Sequence, residues 1–126
     1  WFDEGCASLS EGQATLDTFR HDLVTNYLVT GRGISFHDLF MTVDPPTGTT
    51  TMPFYAQSTT LVAFLLEHAP GETLTDKRHH LLRFIRQVIQ EGASMEAYQR
   101  NVQRYFGFPK VSALQNEWLT WLQSKG

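Results

Sequence analysis

Between two breakers, Pro53 and the Pro70-Gly71 pair, lies the stretch that most constrains the fold. From Phe54 to Ala69, apolar side chains fall on two neighbouring helical rows, Phe54, Leu61, Phe64 and Leu65 beside Tyr55, Val62 and Leu66. This spacing predicts a helix that is apolar around much of its circumference and therefore central to the fold. Pro53 suits its first turn, where no backbone N–H is needed, and Pro70-Gly71 stops it.

The remaining segments repeat the same period between similar breakers. Trp1 to Gly12 reads as a helix with two faces: Phe2, Cys6 and Leu9 are expected to pack inward, while Glu4, Ser8 and Glu11 fall on another stripe at i, i+4, i+7. From Gln13 to about Thr30, Leu16, Phe19, Leu23 and Tyr27 form a stripe with Val24 and Leu28 one row over, ended by Gly31-Arg32-Gly33. Ser35 is a predicted N-cap for a short helix with Asp38 in its first turn and Phe36, Leu39 and Phe40 as its apolar side. Thr42 to Met52, with Asp44-Pro45-Pro46-Thr47-Gly48, reads as a surface loop, a β-hairpin being the weaker option. A polar linker, Glu72 to Asp76, leads to a helix with Leu81, Leu82, Phe84, Ile85, Val88 and Ile89, up to Gly92. Ser94 caps a helix carrying Tyr98, Val102, Tyr105 and Phe106 that ends near Gly107, and Pro109 forces a break. Ser112 and Gln115 form a capping-box pattern before a last stripe of Leu114, Trp118, Trp121 and Leu122. The expected fold is all-α, a compact bundle of about six or seven helices, with residues 1–126 as a single helical domain.

Composition narrows the function classes. The 126 residues suffice for one core, and 41% hydrophobic content argues against overall disorder. A formal net charge of −3 leaves no basic footprint for nucleic acid. No run approaches the roughly 18 apolar residues of a membrane span, and no targeting segment assigns a compartment. The single cysteine, Cys6, excludes an internal disulfide and a cysteine-rich zinc module, and reads as a small core residue. Because the sequence opens inside a predicted helix without an initiating Met, it is expected to be part of a larger protein.

Two stretches carry candidate chemistry. In Trp1-Phe2-Asp3-Glu4-Gly5 a carboxylate stands beside two aromatics and directly before a glycine, where a neighbouring helix can approach closely. In Met52-Pro53-Phe54-Tyr55-Ala56-Gln57-Ser58 a tyrosine opens the central helix. By residue type alone Glu4 and Glu11 are solvated charges and Tyr55 is a core residue. The five histidines lack the i, i+4 pairing of helical zinc ligands, and His79 and His80 are expected to face solvent. Ser8, Ser10 and Ser58 lack a nucleophile elbow, there is no phosphate loop, and Trp118 with Trp121 reads as packing.

The Trp1–Gly5 motif, with Glu11 seven positions after Glu4, resembles the aromatic-x-x-Glu-Gly helix of the gluzincin metallopeptidases, in particular their peptidase MA-like members. The likeness runs from Trp1 into the helix containing Tyr55 and is weaker towards the C-terminus. It implies that Glu4 is the third zinc ligand, that Glu11 is a partner orienting the site, and that Tyr55, 51 positions after Glu4, donates a hydrogen bond to the oxyanion formed during peptide hydrolysis. Ser58 matches the small residue three positions after that tyrosine, whereas Phe54 stands where a proline is usual. The first two ligands would come from a His-Glu-x-x-His helix, which these residues do not contain. The resemblance therefore implies a parent protein with zinc and a peptide or protein substrate. Its N-terminal half would pack against this chain, and the chain alone would hold no zinc and hydrolyse nothing. The alternative is a non-catalytic helical protein-interaction or scaffold domain presenting Trp1, the phenylalanines, Trp118 and Trp121.

Overall fold

In the computed structural model, which describes residues 1–125, the chain folds around one helix, α4 (Thr51–His68). Its buried residues face every direction: Phe54, Leu61, Phe64 and Leu65, but also Ala56, Gln57, Ser58, Thr59 and Thr60. A helix buried all round has to place polar side chains in the core, and these are mostly satisfied locally. Thr59 and Thr60 donate to the carbonyls of Tyr55 and Ala56 one turn back, at 2.7 and 2.8 Å. Gln57 accepts from the Ile34 N–H at 2.6 Å and donates to the Ile34 carbonyl at 2.8 Å, tying a loop to the helix as a strand partner would.

Around α4 stand α1 (Phe2–Leu9), α2 (Gln13–Asp22), α3 (Phe36–Met41), α5 (Leu74–Gln90), α6 (Met95–Phe106) and α7 (Val111–Lys125). Seven α-helices and no strand occur among the described residues, so the bundle is all-α and the hairpin option for residues 42–52 falls. That segment ends in a 3₁₀ turn, Gly48–Thr50, running directly into α4 two residues ahead of Pro53.

The caps explain several boundaries. Ser35, Thr73 and Ser94 each accept a hydrogen bond from the backbone N–H three residues on. Thr73 thus starts α5 inside the stretch expected to be a linker. Gly107, at φ 78°, closes α6 in the left-handed conformation. The capping box at Ser112 does not form. Val111 already lies in α7, its N–H is capped by the Gln99 side chain, and Gln115 instead accepts from the Phe36 N–H at 2.9 Å. The long helix expected over residues 13–30 also changes character: after Asp22 it widens into a π-turn, Leu23–Tyr27, with the Leu28 N–H bonded to the Leu23 carbonyl five residues back.

Large aromatics fill the core. Phe40 stacks on Tyr98 with centroids 4.2 Å apart, Trp1 packs on Phe40 at 5.2 Å and donates its indole N–H to the Tyr98 hydroxyl at 3.0 Å. Trp118 packs on Phe36 and donates to Thr60 Oγ1 at 3.2 Å.

Candidate functional site

The helix bearing Glu4 meets the helix bearing Tyr55 at one close crossing. Gly5 is buried, and a Cβ added to it would lie 2.8 Å from both the Ser58 carbonyl carbon and Val62 Cγ2, and closer still to the Ser58 carbonyl oxygen. No side chain fits there without moving backbone, so the glycine after Glu4 is what lets α1 lie against α4. Gly5 on α1 and Trp1 just before it are fully buried, while Phe2, Cys6 and Leu9, expected to pack inward, do pack against the core but stay half-buried.

Glu4 is half-buried, and its carboxylate lies 3.4 Å from the Trp1 amino group. Tyr55 is also half-buried, at the start of α4 and three residues before the crossing, with its ring edge-on to Phe54. Among the described residues its hydroxyl makes no hydrogen bond, and the side chain is at the edge of the core rather than inside it. Glu11 departs from the expected pattern. The helix stops at Leu9, because Gly12 at φ 113° takes the chain out of the helical region, and Glu11 lies exposed in the turn rather than on the Glu4 stripe.

Among the described residues no three His, Cys, Asp or Glu side chains come together as a metal-binding group. A hydrolytic zinc site takes three protein ligands, so the residues present do not by themselves fit the ion. Two histidines are packed rather than free. His80, expected in solvent, has Nε2 2.6 Å from the Tyr105 carbonyl and its ring between Tyr105 and Phe106, while His79 is exposed. His68 has Nδ1 3.0 Å from the Phe64 carbonyl.

Cys6 lines a separate feature, an open apolar groove of about 330 Å3 between α1, α4 and α5, walled by Phe2, Leu9, Val62, Leu66, Leu81 and Leu82 with Arg78 beside them. Neither Glu4, Glu11 nor Tyr55 reaches it. Burial pushes the Cys6 thiol up from its ordinary value and Asp3 adds to this, against a smaller opposing effect of Arg78, so it is not an activated nucleophile.

Two polar clusters escaped sequence reasoning. Arg20 is buried with its guanidinium 3.9 Å over the Trp121 ring and bonded to the Trp121 carbonyl at 3.1 Å; the same indole donates to Glu67 at 2.7 Å. At the α5–α6 turn Glu91 receives Gln87, Arg100 and Asn101 at 2.8, 2.8 and 3.2 Å, and these hydrogen bonds draw its carboxyl down from 4.5 to about 2. Both clusters join residues distant in sequence from one another or across a turn, which periodicity does not reveal. No family model, curated protein or solved structure matches this chain.

Proposed function

We propose that this chain is the helical part of a gluzincin-like zinc metallopeptidase, contributing Glu4 as one zinc ligand and Tyr55 as a donor to the substrate oxyanion. The observation that carries the reading is the glycine-enabled crossing at Gly5 and Ser58, which holds the helix of Glu4 against the helix of the half-buried Tyr55. A neutral phenol suits that role because it stabilises developing negative charge without competing for the metal. The other ligands and the general base are not among these residues, so the activity belongs to a parent protein with a His-Glu-x-x-His helix ahead of Trp1. Glu11, exposed beyond the end of α1, is left as a surface carboxylate or a distant partner of that site.

Isothermal titration with zinc tests this. The chain alone should bind zinc no better than an isolated surface carboxylate. The parent should bind it tightly and lose most of that affinity with Glu4→Gln, which keeps size and removes charge. A parent that binds zinc equally well with Gln at position 4 removes Glu4 from the site. The alternative, a non-catalytic helical interaction domain, draws on one observation, the open apolar groove that contains neither Glu4 nor Tyr55.

A further inference from the structure

The outer face of α5 combines two features that a solvated helix face does not need. Leu74, Leu82 and Ile89 are 52%, 39% and 63% exposed, and their spacing of eight and seven residues puts them on one stripe. Leu82 is shared between the apolar groove and a neighbouring concavity lined by His79, Arg83 and Arg86. In a chain whose balance is acidic, Lys77, Arg78, Arg83 and Arg86 are four of its ten basic residues, and Asp76 is the only acid on α5. Among the described residues Arg78, Arg83 and Arg86 enter no ion pair.

We propose that the groove between α1, α4 and α5 binds an acidic amphipathic helix of a partner protein. Its apolar side chains enter between Phe2, Cys6, Leu9, Val62, Leu66 and Leu82, and its carboxylates pair with Arg78, Arg83 and Arg86. Charge complementarity selects the sign of the partner, since a basic stripe without ion pairs beside an apolar floor favours carboxylates and disfavours a basic helix, Asp3 being the acid near Cys6 that it outnumbers. The shape selects a helix: no strand edge exists among the described residues for an extended peptide to extend, whereas a trough between helices takes side chains at i, i+4 and i+7. An anionic membrane fits less well, because the apolar floor is concave and the net charge of −3 opposes approach to such a surface.

Cys6 is the only thiol and lines the groove, so its alkylation rate reports occupancy. The probe is a stapled amphipathic helix with Leu at i, i+4 and i+7 and Glu along one flank, set against a twin carrying Lys in place of Glu. The acidic helix should bind in fluorescence anisotropy, slow Cys6 alkylation, and weaken about tenfold in Arg83→Glu/Arg86→Glu and with rising salt, the Lys twin binding about tenfold less well from the start. Leu82→Asp, at an exposed position, should abolish binding with an unchanged circular dichroism spectrum. Equal binding of the two twins, or binding of the acidic helix without Cys6 protection, overturns the proposal. Protection by phosphatidylglycerol vesicles but not by the acidic helix replaces it with a membrane surface. Glu4→Gln should leave all of this unchanged, so failure of the zinc assignment and failure of this one are separable.

Discussion

The two sides of α4 are sealed by opposite means. Towards α7 the contact is made by bulk: Trp118 is buried with its indole N–H on Thr60, and Trp121 packs on Phe64 between Arg20 and Glu67. Towards α1 it is made by the absence of bulk: Gly5 lets backbone meet backbone at Ser58, and beside that point the packing gives way to the open groove. On the first side a large rigid side chain fixes the spacing and both indole N–H groups have a partner, although the buried Arg20 Nε has none among the described residues. On the second, spacing depends on one missing Cβ, and the buried Ser58 hydroxyl has no hydrogen-bond partner among the described residues. A helix can thus be central to a fold and still have one face set by bulk and one built for close approach.

The comparison predicts that the bulky side fails hardest when emptied. Trp118→Ala should cost about 3–5 kcal/mol, because it leaves a large cavity and removes the hydrogen bond that Thr60 accepts, and urea unfolding with an unchanged m-value would measure it. Gly5→Ala tests the other side. Alanine gains about 1 kcal/mol of helix propensity over glycine, but its methyl meets a backbone carbonyl that can move only if the whole crossing opens. The clash should dominate, for a net loss of about 1–3 kcal/mol, and a stabilised Gly5→Ala chain would show that the crossing is not tight.

A third contact, the Glu91 cluster between α5 and α6, belongs to neither side and can be separated from both by pH. Its carboxyl is held near 2 against an ordinary 4.5, so it favours the folded state at pH above the ordinary value and loses that contribution as pH falls from about 4.5 towards 2. Wild type should lose stability across that window more steeply than Glu91→Gln, whose acid limb should be flatter. Parallel acid limbs would show that the cluster is not coupled to folding. Exposure of the Arg100 partner keeps the effect modest and sensitive to salt.

The contrast between bulk and small residues also marks what the sequence made legible. Helical period and breakers located all seven helices, because Pro53, Pro70-Gly71, Gly92 and Gly107 act locally and the apolar stripes act within one helix. On α1 they mark Phe2, Cys6 and Leu9, which pack half-buried against the core, but not the residue that sets the spacing of the helices. That residue is Gly5, because the α4 backbone at Ser58 leaves no room for a Cβ there. The Glu4, Ser8, Glu11 spacing is likewise helical, but α1 ends at Leu9, ahead of Gly12 at positive φ, so Glu11 leaves that stripe. The Arg20–Trp121–Glu67 set joins three helices, and a pattern read within one helix at a time has no means of pairing them.

The smallest expected effect is the most discriminating. Ser58 and Thr60 are both fully buried hydroxyls on α4, two residues apart, facing the two sides just contrasted. Thr60 accepts from the Trp118 indole and donates to the Ala56 carbonyl, so Thr60→Val keeps the shape but strands a buried donor, at about 1–3 kcal/mol. Ser58 Oγ has no such partner, and its burial is a cost without a compensating bond. Ser58→Ala removes only that cost and the small volume of an oxygen, so it should be neutral or stabilise by up to about 1 kcal/mol. Thermal unfolding of the two variants side by side decides it. If Ser58→Ala is destabilised as much as Thr60→Val, the Ser58 hydroxyl has a partner of its own at the crossing.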